Sequence, residues 1–381
     1  MAKKEWVKPA DYVKKDVRQE ATDRIIAEFE KGPGAWQQTW SKSSGFPMNA
    51  LTGNPYRGTN FLLLTFAGYP DNRFVTFEQA KSIKSVNAPD GSKQGDPLWS
   101  CHVKKWERGI SITRMVDKKT TKTDAQGNEE EDFVKVMKCY TVFNAAQIEG
   151  MPPQPELVRN KDFTDFERGE MMIQALVKKT GLTVEEGGDK AFYNQVDDKV
   201  QMPPRATFTD ESHFYTVFMH EGAHSTLHAS RLNRKEVQGD FTHEARASEE
   251  LTAELASVML AAETGIPLSQ EHVRNSGAYL KSWIKALKDD KTEIFKACSA
   301  AHKICDYMVA KEAEYAKDLG IEIPAPVFAK PAAVDTRDIT RTPAPVAKPS
   351  VGTASAAQSP ARLARPRETP RRSAQTVGLS M

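Results

Sequence analysis

Apolar positions recur at helical spacing from early in the chain. Over residues 10–30, Val13, Val17, Ala21, Ile25, Ile26 and Phe29 share one face, and Gly32-Pro33-Gly34 ends the run. A stretch containing Trp36 and Trp40 follows, then the solidly apolar Phe61–Phe66, which periodicity leaves open between strand and buried helix. Thr76–Ser85 reads as a short helix. Trp99–Val116 and Phe133–Phe143 alternate apolar with polar, as paired antiparallel strands do, with the charged segment 117–132 as a mobile loop between them. The run Met151-Pro152-Pro153-Gln154-Pro155 breaks the pattern and marks a boundary. Beyond it, residues 160–320 turn mainly helical, with Ala191–Val200 as a strand or hairpin. Residues 269–290 and 291–318 predict two further helices, Tyr279, Trp283 and Leu287 standing at core spacing. Near Ile321 the periodicity stops. Nine of the 22 prolines fall in 324–381 among Ala, Ser, Thr and Arg, a composition that buries too little apolar area to offset ordering. The expected architecture is therefore α+β: a small N-terminal α+β domain (1–150), a mainly helical domain (156–320) and a disordered basic tail (321–381).

Charge follows the same division. The net charge is only +2, yet residues 1–150 carry 23 basic and 19 acidic side chains, residues 151–330 carry 22 and 29, and residues 331–381 carry 8 and 3. Basic ends suit a polyanion, and an acidic middle suits a metal cation. No signal peptide is evident, and the apolar run Phe61–Ala67 is too short to cross a bilayer, so no membrane association is expected. Cys101, Cys139, Cys298 and Cys305 lack the close pairing of a metal knuckle, which points to a reducing, cytoplasmic setting. Cys298 and Cys305, seven apart on one predicted helix, fit a shared buried face.

The chemistry concentrates in His220-Glu221-Gly222-Ala223-His224, an H-E-x-x-H pattern. On a helix, positions i and i+4 share a face, so both imidazoles can reach one Zn²⁺, and the intervening glutamate can serve as general base toward water. Phe214, Val217, Phe218 and Met219 supply the apolar face of such a helix, and Asp210, Glu211 and Ser212 are candidate caps. A third ligand is required. Glu250 is the first candidate, with Glu254 on the same face of a second helix (245–262) orienting an imidazole. Glu249 is the alternative, and a solvated acidic face is the reading without metal. His228 lies one further turn along, but three successive i+4 ligands do not easily surround one ion, so it ends the helix or packs beside the site.

The first half carries a different signal. Trp6, Trp36, Trp40, Trp99 and Trp106 interleave with Arg57, Lys104, Lys105, Arg108 and Arg114. Aromatic faces among cations are what single-stranded nucleic acid needs, bases stacking at about 1–3 kcal/mol each while the cations follow phosphates. The competing account is that these tryptophans simply build a small core.

Taken together, the two halves resemble the ArdC-type antirestriction proteins of conjugative plasmids. The likeness is carried by Phe46–Ala50, Asn54–Asn60, Val75–Ala80 and Val142–Gln147 in the first half. In the second half it is carried by Met202-Pro203-Pro204, His220–His228, Ser230–Arg234, Glu249–Glu254, Ala278–Trp283 and Asp289-Asp290-Lys291. It spans residues 8–315. The resemblance implies an N-terminal single-stranded-DNA-binding domain, to which Tyr56, Arg57 and Asn60 belong, and a C-terminal zincin-like metallopeptidase domain. It likewise implies His220, His224 and Glu250 as zinc ligands, Glu221 as catalytic base, and protection of incoming DNA from restriction. Two departures stand out. Residues 87–96 replace a compact Gly/Lys-rich turn, and Gly222 replaces a bulkier residue at a helix-propensity cost of about 1 kcal/mol. Three functions remain open: a DNA-binding protection protein, a DNA-localised metalloprotease acting on a protein or peptide substrate, and a zinc-stabilised scaffold without catalysis.

Overall fold

The computed structural model describes residues 16–32, 45–123, 129–154, 165–234, 243–269, 271–272, 277 and 279–323. Trp6, Trp36, Trp40 and the tail from residue 324 lie outside them.

The first helix, α1 (Val17–Glu30), starts where the Asp16 carboxylate accepts from the backbone N–H groups of Arg18 and Gln19, and it buries Ile25, Ile26 and Phe29. The ambiguous apolar run is a helix, α2 (Thr59–Thr65), buried on nearly every side. A segment apolar all round needs protein all round, and α2 lies in the main core with α1 and the later helices. The short helix α3 (Phe77–Ala80) is fixed by a reciprocal capping box between Thr76 and Gln79.

One sheet organises the first half, in the order β1 (Met48–Asn49), β2 (Arg73–Thr76), β5 (Glu129–Asn144), β4 (Ile110–Thr123). β1 runs parallel to β2, and the remaining pairs are antiparallel. Two sequence expectations need correction here. Trp99–Gly109 is not continuous strand. Its one strand is β3 (His102–Val103), paired with β6 (Ile148–Glu149), and Ser100 makes an isolated bridge to Lys84. Conversely, most of the charged segment 117–132 is strand: β4 and β5 stay in register from Ile110↔Val142 out to Thr123↔Glu129. The ribbon's outer part has solvent on both faces, so no apolar alternation exists for a sequence reading to find, while the β-branched Thr120 and Thr121 favour extension.

The second half is a helical layer with a small sheet at its side. The helices are α4 (Asp165–Thr180), α5 (Glu211–Ser225), α6 (His243–Thr264), α7 (Leu280–Asp289) and α8 (Glu293–Asp318). The predicted hairpin is β8 (Phe192–Asn194) and β9 (Lys199–Met202), joined by β7 (Thr183–Glu186) parallel to β9. Cys298 and Cys305 are both buried on α8, on the shared face their spacing implied. Trp283 and Leu287 are core residues, whereas Tyr279 is 44% exposed and stacks on Trp283 at 5.9 Å. The largest apolar cluster draws on both sides of the Met151–Pro155 run: Ile25, Phe29 and Phe61 pack with Leu176, Phe218, Trp283 and Met308. Arg73 ties down that run by donating to the carbonyls of Pro152 and Pro153. Among the described residues, no helix is long and apolar enough to cross a membrane.

Candidate metal centre and basic turn

Helix α5 begins at Asp210, whose carboxylate accepts from the His213 backbone at 2.8 Å. Three turns on, it presents His220 and His224 from one face, their Nε2 atoms 3.2 Å apart. Helix α6 packs against α5 and brings three glutamates to the same place. Glu250 Oε2 stands 3.4 Å from His220 Nε2 and 3.8 Å from His224 Nε2. Glu249 Oε1 lies 2.9 Å from His224 Nδ1, and Glu254 Oε2 lies 3.4 Å from His220 Nδ1, a buried nitrogen with no well-formed hydrogen bond.

An ionised carboxylate only accepts, so a neutral ring that turns its Nε2 lone pair to a cation carries its proton on Nδ1, toward Glu254 for His220 and Glu249 for His224. Two such lone pairs and a Glu250 oxygen then converge within 4.8 Å, a donor set that suits one divalent cation. Without one, protons take that role. Burial disfavours charge on His220, but Glu250 and Glu254 outweigh it and hold its pKa well above the ordinary value. Burial likewise opposes charge on His224, and Glu249 and Glu250 raise it to about 9. Glu250 and Glu254 are pushed upward by burial yet drawn far below the usual carboxylate range, Glu250 by His220 and His224, Glu254 by His272 and His220.

The orienting role expected of Glu254 alone is shared. Glu254 faces His220 and also His272, whose Nε2 is 3.2 Å away. Glu249, the alternative ligand, backs His224 instead. It is gripped by Arg234, which donates to both its oxygens at 2.6 and 2.7 Å and also reaches the Ala223 carbonyl at the end of α5. Neither Arg234 nor His272 was anticipated. A buried arginine at residue 234 leaves no periodic trace, although it lies in the Ser230–Arg234 stretch. His228 falls beyond the helix end, its Nδ1 against Ser230 Oγ at 2.8 Å. The histidines and glutamates open onto a cavity of about 440 Å³ that is also lined by Glu221, Tyr279 and, from the β8 side, Phe192, Tyr193 and Gln195.

The residues expected to touch DNA divide sharply. Tyr56 is engaged inside the fold: its hydroxyl donates to Phe74 O and accepts from Asn49, and burial pushes its pKa up to about 12. Asn60 bridges α2 to β4 through the Thr113 backbone at 2.7 and 2.8 Å. Arg57 forms a two-pronged pair with Asp306 on α8. Tyr56 and Asn60 thus brace the fold, while Arg57, paired at the surface, keeps its guanidinium half exposed. Lys104, Lys105, Trp106 and Arg108 lie together on an exposed turn before β4. Trp106 is 96% exposed and has φ +69°, a left-handed conformation costly for a bulky residue. The turn is braced from below: buried Gln147 donates to the Glu107 carboxylate and the Arg108 carbonyl, while Lys104 Nζ donates to Ala146 O. Gly109 closes it, since a Cβ there would fall 2.4 Å from Thr141 Cγ2 and 2.8 Å from Val142 O.

Comparison with known proteins finds a family for each half of the chain. A family described as the N-terminal domain of anti-restriction factor ArdC matches residues 15–143, and one described as a zincin-like metallopeptidase matches residues 171–300. A DNA primase TraC of Escherichia coli is 33% identical over 308 residues, covering 78% of this chain but only 20% of that protein. The uncharacterized protein y4eC of Sinorhizobium fredii is 31% identical over 310 residues, 78% of this chain and 93% of its own length. Among solved structures, the metal-free antirestriction ArdC protein from the R388 plasmid superposes with a TM-score of 0.62 at 32% identity, covering 79% of this chain and 99% of that one. Its Mn(II)-bound form gives 0.59 at 31% identity, over 78% and 99%.

Proposed function

Because this chain belongs to the ArdC antirestriction family, we propose that it binds single-stranded DNA in the cytoplasm and protects incoming mobile-element DNA from restriction. Residues 1–150 hold the strand, and residues 156–320 carry a metallopeptidase-like centre. The observation that carries this reading is Trp106, an indole 96% exposed in a strained conformation between Lys105 and Arg108. A folded protein has no stability reason to keep such a ring in water, and base stacking supplies one. The test is binding of a fluorescent single-stranded oligonucleotide by the whole chain across a salt series, with duplex competitor. Strand-preferring binding that weakens steeply with salt supports the reading, and absence of binding at low salt defeats it.

The metal of the second region is proposed to be Zn²⁺, held by His220, His224 and Glu250. Two imidazoles and one carboxylate suit zinc, and the same set accepts Mn²⁺, the ion named for the R388 relative. When bound, such an ion polarises a carbonyl and makes water easier to deprotonate. Glu221 follows the first histidine and lines the same cavity, which supports it as the base that takes a proton from attacking water and returns it to a leaving amine.

A second reading, hydrolysis of a protein or peptide, is favoured by one observation. β8 is the edge of its three-stranded sheet, and its residues border the cavity, so an extended chain can add alongside it. A purely structural metal is the remaining alternative. Glu221→Ala separates them: hydrolysis should vanish while DNA affinity stays within about twofold, because this residue makes no phosphate contact. Antirestriction that survives the substitution excludes proteolysis from the protective mechanism.

A further inference from the structure

The long β4–β5 ribbon has two faces of different electrical character. In an antiparallel ladder, directly opposed residues share a face. On one face the charges cancel: Asp117 lies opposite Lys135, and Lys119 forms an ion pair with Glu131. On the other face, the buried pair Ile110↔Val142 gives way, moving outward, to exposed Tyr140, then to Arg114 directly opposite Lys138, then to Lys118 opposite Val134. Two cations facing each other across a ladder destabilise it. Arg114 and Lys138 are both exposed, and neither side chain makes a hydrogen bond or ion pair with the described residues. The nearest acid described on this face, Asp132, lies toward the ribbon's tip, opposite Thr120.

We propose that this face of the ribbon is a second contact for single-stranded DNA, in which one phosphate is clasped between Arg114 and Lys138 and a neighbouring base lies on Tyr140. The inference rests on the reading that the protein binds single-stranded DNA, and it extends that site from the Trp106 turn onto the ribbon. The partner follows from charge complementarity. An anion placed between opposed cations removes their repulsion, and Lys118 lies about 13 Å further along the strand, in reach of another phosphate on the same path. Tyr140 is 37% exposed and stands two residues from Lys138 on the same face, so a strand following these cations passes its ring. An acidic protein would satisfy the cations equally but has no use for an aromatic platform beside them.

The experiment compares the whole chain with Arg114→Gln/Lys138→Gln, with Lys119→Gln/Lys135→Gln on the opposite face, and with Trp106→Ala. Each is titrated with a fluorescent mixed-sequence single-stranded oligonucleotide, and separately with its duplex, at several salt concentrations. The first double variant should bind about tenfold more weakly at low salt, and its plot of log K against log salt should be shallower by about 0.7 per lost phosphate contact. The second should match the parent, which keeps loss of charge alone from explaining the result. Because all four ribbon residues are solvent-exposed, unchanged circular dichroism is expected for both double variants. Equal loss in both overturns the proposal, as does no loss in the first while Trp106→Ala still weakens binding, an outcome that leaves the broader DNA reading intact. Loss of duplex binding alone also overturns it. If the parent binds no single strand at all, the broader reading falls and the ribbon proposal with it.

Discussion

Around His220 and His224 the ring nitrogens are backed by carboxylates and one of those carboxylates by an arginine, whereas at Trp106 a single ring stands in water on a turn held from beneath. The first arrangement is buried and over-determined: Arg234 fixes Glu249, Glu249 faces His224, and Glu254 is shared between His220 and His272. The second is open, and its precision lies in the backbone, through Gln147 and Gly109. A metal site has to meet a short list of distances, so its rigidity lies in side chains. A site for a flexible polymer has to offer surface, and a braced turn with mobile side chains does that. The two regions should therefore respond independently to mutation.

The largest effect expected is at the histidines. His224→Ala should weaken divalent-metal affinity by more than about 100-fold, beyond what loss of an outer partner costs, while single-strand affinity changes by less than about twofold. Isothermal titration with Zn²⁺ and with Mn²⁺, alongside oligonucleotide binding, checks both halves. If DNA affinity collapses with the metal, the independence argued above is lost.

Glu249→Gln comes next. It preserves shape but leaves Arg234 as a buried cation without its charged partner, and it replaces one accepting oxygen by a donor NH2 in a place where Arg234 and His224 both offer donors. Metal affinity should fall about 10–100-fold. An unchanged affinity would mean that the Arg234–Glu249–His224 chain is structural only.

Trp106→Ala should cost about 1–3 kcal/mol of single-strand binding and almost no stability, since the ring is nearly all in water and the left-handed backbone suits no large residue. A drop in melting temperature with unchanged DNA binding would turn the comparison on its head.

A pH series probes the buried region alone. His224, raised to about 9 from 6.5, is protonated at neutral pH in the metal-free protein. Its stabilising contribution is complete below pH 6.5 and is lost as pH rises to about 9, so the metal-free chain should melt lower across that window. Metal binding requires the neutral ring, so affinity should rise over the same window and binding at pH 7 should release protons. A metal-free melting temperature that is flat from pH 6.5 to 9, with no proton release, would remove the charge network from the account.

The sequence shows these regions unequally, for physical reasons. His220, His224 and Glu250 are legible because helix geometry turns a spacing of four into proximity, and Glu250 and Glu254 repeat that spacing on the partner helix. Glu249 stands in the sequence as the alternative ligand, one position off that face, and its partners Arg234 and His224 come from other elements, which no one-dimensional pattern records. The outer β4–β5 ribbon was invisible because alternation appears only where one face is dry. Tyr56, Arg57 and Asn60 show another limit: their motif marks the region, but the partners of their polar atoms, Asn49, Phe74, Asp306 and Thr113, lie on other elements and leave no trace in the spacing.

The smallest predicted effect concerns Gly222, whose presence inside the metal helix looks from sequence like a loss of about 1 kcal/mol in helix propensity. In the fold it is a buried point of close approach, where an added Cβ would lie 3.1 Å from Met308 Cε on α8 and 3.4 Å from Leu176 Cδ1 on α4. Both neighbours are ends of flexible side chains rather than backbone, so each can give by a few tenths of an ångström. Gly222→Ala should thus regain propensity and lose a similar amount in crowding, leaving stability within about 1 kcal/mol of the parent. The position lies on the face of α5 that packs against α4 and α8, so metal affinity should hold even if packing adjusts. Thermal melting together with metal titration reads both quantities. A stable variant with weakened metal binding would show that α5 shifts as a body when its packing face is filled, and that the histidine geometry depends on how closely these helices meet.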